Sequence, residues 1–276
     1  MMDRPFSPAR VRAHRARAAA AGFEGVLVVR VAAELAARLA GVNRSFGAAL
    51  AIGGAPAFAR AVEAEPGLAA RLGPITALDA DARLFAPLPG AVGDVEALPF
   101  ADEQFGLVAS ILTLHWANDL PGALIQIRRA LRPDGLMLAA LFGGRTLMEL
   151  REALLIAESD VTGGASPRVA PFADAFDAAL LLQRAGFALP VADADTVTLR
   201  YKHPLRLIAD LRAMGETSAL STPARPLSRA VLARFAEVYR QRFSDSDGRV
   251  RATFEILTLT GWAPHESQPK PLKPGS

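Results

Sequence analysis

The sequence predicts an α/β protein: a doubly wound, mostly parallel sheet of seven strands, with a helical cap inserted between the last two strands. Three observations carry this. Short apolar runs alternate with amphipathic helical stretches and tight turns as far as residue 142, the pattern of successive β-α-β units. The run 107–114 is almost wholly apolar, as expected of a central strand buried on both faces. Two helical stretches, 205–214 and 227–243, then separate an alternating stretch at 191–201 from a last apolar one at 252–260.

Each element has a local reason. The first 23 residues, rich in alanine and arginine, read as an N-terminal helix. In 26–42, Arg30, Glu34 and Arg38 recur at i, i+4 and i+8 opposite Leu27, Val31, Leu35 and Leu39, which makes that stretch an amphipathic helix. A loop at 43–47 leads into a buried strand at 48–52. Gly53 and Gly54 turn the chain, and Pro56 suits the first turn of a helix that runs to about Glu65. Short strands follow at 75–79, ending on Asp79, and at 91–94, ending on Asp94. Residues His115 to Asp119 close the strand 107–114, and Asp119 with Pro121 opens a helix over 120–131. Pro133, Asp134 and Gly135 turn the chain into the strand 136–142. Helices at 147–157 and 174–185, the second stopped by Gly186, flank a Gly/Pro-rich loop at 163–172. This divides the chain into an N-terminal helical region (1–45), a main domain (46–262, with its cap at about 203–250) and an extended tail (263–276).

Composition narrows the chemistry. The 276 residues are 51% apolar and 21% charged, which excludes a disordered chain. They contain no cysteine, and so no disulfide framework, thiolate metal site, iron–sulfur cluster or thiol nucleophile. The net charge is +3, and its excess is local: Arg4, Arg10, Arg12, Arg15 and Arg17 against Asp3 give the first 23 residues +4. A single basic helix is not the basic face of a nucleic-acid-binding domain. It reads as an ordinary helix, with an anionic partner or membrane surface as the minority reading; a transit peptide would carry more serine. No apolar run approaches the roughly 18 residues of a membrane span. The four histidines, at 14, 115, 203 and 265, show no metal-ligand spacing, so no metal site is expected.

A strand ending in Gly53-Gly54, a helix, and a second strand ending on Asp79 form a nucleotide-cofactor layout. Backbone N–H groups at the turn approach the ligand, and a carboxylate one β-α-β unit on takes ribose hydroxyls. The turn lacks G-x-G-x-x-G and a Walker lysine, which disfavours dinucleotides and triphosphates.

Further along, Asp94-Val-Glu-Ala-Leu-Pro-Phe100, Leu112-Thr-Leu-His-Trp-Ala-Asn-Asp-Leu-Pro121 and Ile127-Arg-Arg-Ala-Leu-Arg-Pro-Asp-Gly135 resemble class I S-adenosylmethionine-dependent methyltransferases of Rossmann-like fold. Leu141-Phe-Gly-Gly-Arg-Thr-Leu-Met-Glu-Leu-Arg151, Gly163-Gly-Ala-Ser-Pro-Arg-Val-Ala-Pro-Phe172, Asp210-Leu-Arg-Ala-Met-Gly-Glu216 and Gly261-Trp-Ala-Pro-His-Glu-Ser267 are similar to one branch of them. That branch is the methyltransferase-like family of respiratory complex I assembly factors and arginine hydroxylases, in its bacterial form. The resemblance implies S-adenosylmethionine as cofactor, with Gly53 and Gly54 in the glycine loop and Asp79 on the ribose. It implies Asp94 and Val95 at the adenine, and Leu112 where the fourth strand borders cofactor and substrate. It also implies a protein substrate among the complex I subunits and a bacterial cytoplasmic location, at the inner face of the membrane in the minority reading.

His115 and Trp116 are the candidate catalytic residues; His115 is either a general base or a packed residue closing its loop. Arg145 and Arg168, beside Gly/Pro loops at the mouth of the expected site, are candidates for gripping a partner, and Glu149 and Arg151 read as a solvated helix face. The sequence departs from the family at the glycine loop, where Ala51, Ala55 and Ala57 replace an acid and two glycines. A Cβ at 55 crowds the approach of a ligand to the backbone. The reading is a methyltransferase-like enzyme acting on a protein substrate in complex I assembly, by methyl transfer or as an arginine hydroxylase, with two alternatives: a non-catalytic assembly chaperone, and a small-molecule or acyl-carrier O-methyltransferase.

Overall fold

In the computed structural model, residues 4–22, 25–222 and 224–268 are described, except for the side chains of residues 175 and 176. Seven strands form one sheet in the order β3-β2-β1-β4-β5-β7-β6. They are β1 (Ala49–Ile52), β2 (Ile75–Asp79), β3 (Gly90–Val92), β4 (Phe105–Ile111), β5 (Leu131–Phe142), β6 (Ala188–Tyr201) and β7 (Val250–Trp262). The first five are parallel, and β7 enters antiparallel between β5 and β6.

The alternation of side chains across the sheet sorts the apolar residues into two cores. Ala49, Ala51, Leu107, Ala109, Leu136, Leu138 and Ala140 face one core, and Leu50, Ile52, Val108, Met137 and Ala139 face the other. Helices α5 (Leu120–Ala130) and α7 (Ala175–Arg184) cover the second face. The first face is covered by α2 (Val26–Ala40), α3 (Ala55–Ala64), α6 (Met148–Thr162) and α9 (Arg229–Phe243), with the short α4 (Leu68–Leu72) beside α3. Helix α2 is seated by the apolar stripe read from its sequence: Leu27, Val31, Leu35 and Leu39 are all fully buried. Its polar face is used as well. Arg38 pairs with Asp193 at 2.6 Å and Arg30 with Asp195 at 3.5 Å on β6. Such half-exposed pairs contribute about 0–1 kcal/mol each.

Helix α1 (Pro8–Ala20) and helix α8 (Pro204–Ala213) close the end of the sheet where the parallel strands terminate. The N-terminal segment is stitched to the loop after α8: Ser7 N donates to Ala219 O at 2.8 Å, Ser221 N to Pro5 O at 2.8 Å, and Phe6 bridges to Leu220. The cap expected between the last two strands therefore meets a roof from the other end of the chain.

Two sequence expectations need correction. The strand expected over 107–114 ends at Ile111; Leu112 is left-handed (φ 47°), and Leu114–Trp116 form a 3₁₀ turn. Glu149 does not face solvent. It is buried, with its carboxylate accepting from Thr253 N at 3.0 Å and from Thr253 Oγ1 at 2.5 Å. In the tail, Ala263 N donates to Gly135 O and Gln268 Nε2 to Asp134 Oδ1, both at 2.8 Å; the residues after 268 lie outside the described ones.

Candidate functional site

The parallel strands deliver their last residues to one edge, and a ligand of such a sheet binds beyond that edge. Asp79 ends β2, Asp94 and Val95 follow β3, and Leu112 follows β4; all four line one small cavity with Ile52, Thr113 and Trp116. Its opposite wall is helix α1, through Pro8, Val11, Arg12 and Arg15. The glycine turn is not part of this lining. Gly53 and Gly54 are both left-handed (φ 67° and 55°) and lie against protein. A Cβ on Gly53 would fall 2.0 Å from Thr113 Oγ1, and one on Gly54 2.7 Å from Val28 Cγ1. Both glycines therefore have a packing reason to be glycine. Gly106 is similar, since a Cβ there would fall 2.1 Å from Phe46 O.

The main surprise is Arg15. Its Nη2 donates to Asp79 Oδ2 at 2.6 Å and its Nε to Asp79 Oδ1 at 3.3 Å, with both side chains about 5% exposed. Burial works against the guanidinium charge, but Asp79 and then Glu216 outweigh it and hold Arg15 protonated above its ordinary range. In the sequence Arg15 is one of five arginines of a basic helix with no local partner; its partner lies 64 residues away.

Glu216 is the second residue that local reading missed, although it closes one of the quoted motifs. Its Oε2 accepts from His115 Nε2 at 2.9 Å and from Trp116 Nε1 at 2.8 Å, and its Oε1 lies 3.9 Å from Arg15 Nη1. His115 and Trp116 are both buried, in an aromatic cluster with Phe6, Phe142 and Phe172. His115 Nδ1 has no partner among the described residues. The histidine is thus a packed, hydrogen-bonded group at the strand tip. Burial works to raise the Glu216 carboxyl, but His115, Arg15 and the Trp116 N–H outweigh it and hold it below the usual range. Of the arginines read as partner grips, Arg145 is exposed and Arg168 is not free, because its guanidinium forks onto Glu158.

This electrostatics sets a pH dependence. The folded-state carboxyl of Glu216 titrates below its unfolded value of about 4.3, so its contribution is complete above that value and disappears as pH falls through the folded one. The stability advantage of the wild type over Glu216→Gln, read as urea midpoints, shrinks steadily below about pH 4. An advantage that is flat from pH 7 to pH 3 contradicts an ionised Glu216.

A second cavity adjoins the first and shares Trp116 with it. It has a volume of about 290 Å³, against about 60 Å³ for the Asp79 cavity. The smaller volume holds a few waters and not a nucleoside. The acids and the apolar wall suit the adenosine end of S-adenosylmethionine, but with Arg15 on Asp79 and Thr113 behind Gly53 the closed site does not fit it. Among the described residues no group of three or more His, Asp or Glu could hold a metal ion, and no helix is long and apolar enough to cross a membrane.

The strand order with an antiparallel seventh strand, and acids at successive strand tips, define the class I methyltransferase fold. Comparison with known proteins agrees. A methyltransferase-domain pattern matches residues 57–139. The mitochondrial arginine-hydroxylase NDUFAF5 of Danio rerio is 42% identical over 190 residues, which cover 69% of this chain and 59% of that one. A malonyl-[acyl-carrier protein] O-methyltransferase of Halorhodospira halophila is 41% identical over 172 residues, 61% of this chain and 56% of that one. The chain spans under two thirds of each relative. Among solved structures, the BH2331 protein of Bacillus halodurans C-125 superimposes with a TM-score of 0.56 at 16% identity, over 84% of this chain and 99% of that one. The chain therefore has the class I methyltransferase fold with a methyltransferase-domain pattern at 57–139, and its sequence is similar both to an arginine-hydroxylase and to an acyl-carrier O-methyltransferase.

Proposed function

We propose that this protein serves the assembly of the NADH–quinone oxidoreductase by acting on an arginine-bearing segment of a partner subunit. The likeness to an arginine hydroxylase, 42% identity over 190 residues, carries this reading. The cavity beside the strand tips supports it, because its volume of about 290 Å³ lies near the lower end of the ~300–1,000 Å³ usual for ligand sites. S-adenosylmethionine is the cofactor this reading assigns to the Asp79 cavity, once Arg15 has left it. The setting is the bacterial cytoplasm, with the basic α1 toward any anionic membrane surface.

A second reading is a non-catalytic assembly chaperone, and a specific observation favours it: Asp79, the acid that the first reading gives to the cofactor ribose, is paired with the chain's own Arg15. One pair of measurements separates the two. Calorimetric titration with S-adenosylmethionine to millimolar concentration gives measurable heat under the cofactor reading and none under the chaperone reading. Mass spectrometry of complex I subunits, from cells with and without this protein, gives +16 Da on an arginine for hydroxylation and +14 Da for methylation. Unchanged subunit masses combined with failed assembly support the chaperone; unchanged masses with normal assembly sink both readings.

A further inference from the structure

We infer that the 290 Å³ cavity is the seat of a single cationic side chain, arginine, held by Glu216; this rests on the arginine-directed reading above. The cavity lies between α6, α8 and the loop at 163–172. Part of its wall is apolar, with Leu150 and Leu154 from α6, Leu211 from α8 and Phe172 from the loop; the rest carries polar residues and three arginines. Within that lining stands Glu216, whose side chain is 7% exposed. The apolar part of the wall suits a long hydrocarbon stem, and Glu216 is the one anion of the lining for a cation at its end.

Three features make the occupant specific. First, the charge is incompletely answered. Arg15 stands between two buried carboxylates, and it gives its short bonds to Asp79 and only a 3.9 Å contact to Glu216. A carboxylate has about four acceptor sites. On Glu216, His115 and Trp116 engage Oε2, which leaves Oε1 for a further donor. Second, Trp116 lines the cavity beside Glu216. A planar, weakly hydrated guanidinium both stacks on an indole and forks onto a carboxylate, whereas a lysine ammonium loses more on leaving water. Third, the other charges facing the cavity are Arg10, Arg168 and Arg212. Arg168 is answered by Glu158, and Arg10 Nη1 donates to Leu220 O at 3.4 Å. A guanidinium therefore enters past positive charge, which favours a segment with acidic residues on either side of its arginine. Because Trp116 lines both cavities, the seated side chain would end beside the residue that the two share.

The test uses the intact protein and acetyl-Asp-Arg-Asp-amide, with the citrulline peptide as its neutral, near-isosteric control. Binding is followed by tryptophan fluorescence and calorimetry. The arginine peptide is expected to bind at least tenfold more tightly than the citrulline one. Glu216→Gln, which keeps the shape of the carboxylate, equalises the two peptides. Leu154→Trp fills the cavity without touching Glu216, His115 or Trp116, and weakens the arginine peptide at least tenfold. Should that variant not fold, Ile208→Trp on another part of the lining serves in its place. Wild-type affinities within twofold of each other overturn the assignment, as does no binding of either peptide at millimolar concentration, or unchanged binding to a folded cavity-filling variant. Failure here leaves the subunit mass measurement standing. Conversely, arginine-selective binding without any subunit mass change keeps the site and removes the enzymatic reading.

Discussion

Arg15→Met costs the fold about 3–5 kcal/mol, the loss expected when one partner of a buried ion pair is removed and the other is left charged. Asp79 then keeps the Ala80 N–H at 2.7 Å and no guanidinium, while Glu216 loses the cation that helps to hold it ionised. The double variant Arg15→Met/Asp79→Asn recovers most of that loss, because the side-chain amide that replaces the carboxylate still accepts from the Ala80 N–H and leaves no unpaired charge at that strand tip. Urea unfolding of the four members of the cycle reads both numbers. A loss below about 1 kcal/mol for Arg15→Met would mean that α1 does not hold the pair closed in solution. The same variant bears on function. While Arg15 sits on Asp79, a nucleoside can bind only the fraction of molecules in which α1 has lifted, and its apparent affinity falls by that fraction. Under the cofactor reading, Arg15→Met therefore binds S-adenosylmethionine more tightly than the wild type does, although it is the less stable protein. If it still binds none, the alanines at 51, 55 and 57 are as limiting as the plug.

The sheet was legible because each strand is a local signal. Apolar runs between turn residues mark β1, β2, β4 and β5, and the alternation of 191–201 marks β6. Chain order and the short connections then bring the ends of β1, β2, β3 and β4 to one edge, which is why Asp79, Asp94, Val95 and Leu112 meet in one cavity. What stayed hidden were charges whose partners are distant in sequence. Arg15 and Glu149 look like solvated helix residues, since a charge in a polar helical stretch needs no explanation. Asp79 and Thr253, their partners, lie 64 and 104 residues away. The end of β4 was misread for the opposite reason. Leu112 is as apolar as the strand before it, and only its left-handed backbone, which sequence does not signal for a leucine, turns the chain toward His115.

Gly53→Ala separates two explanations for a glycine in this turn. A glycine retained for a ligand would cost the empty protein only its backbone strain, about 1–2 kcal/mol for a non-glycine residue at positive φ. Gly248 supplies that reference, with φ 78° and nothing within 4 Å of where a Cβ would stand. At Gly53 the new Cβ meets Thr113 Oγ1 at 2.0 Å and Ile111 O at 2.9 Å. The hydroxyl can rotate away, but it gives up its hydrogen bond to Ile111 O; the carbonyl belongs to the last residue of β4 and cannot move without the sheet. Gly53→Ala is therefore expected to cost about 3 kcal/mol or more, which is roughly 1 kcal/mol or more beyond Gly248→Ala. Adding Thr113→Ala recovers the part due to the hydroxyl and leaves the part due to the carbonyl. Should Gly53→Ala and Gly248→Ala lower the urea midpoint equally, packing does not demand the glycine at 53. Its persistence beside the lost residues of the loop would then argue for a ligand that still approaches the backbone there.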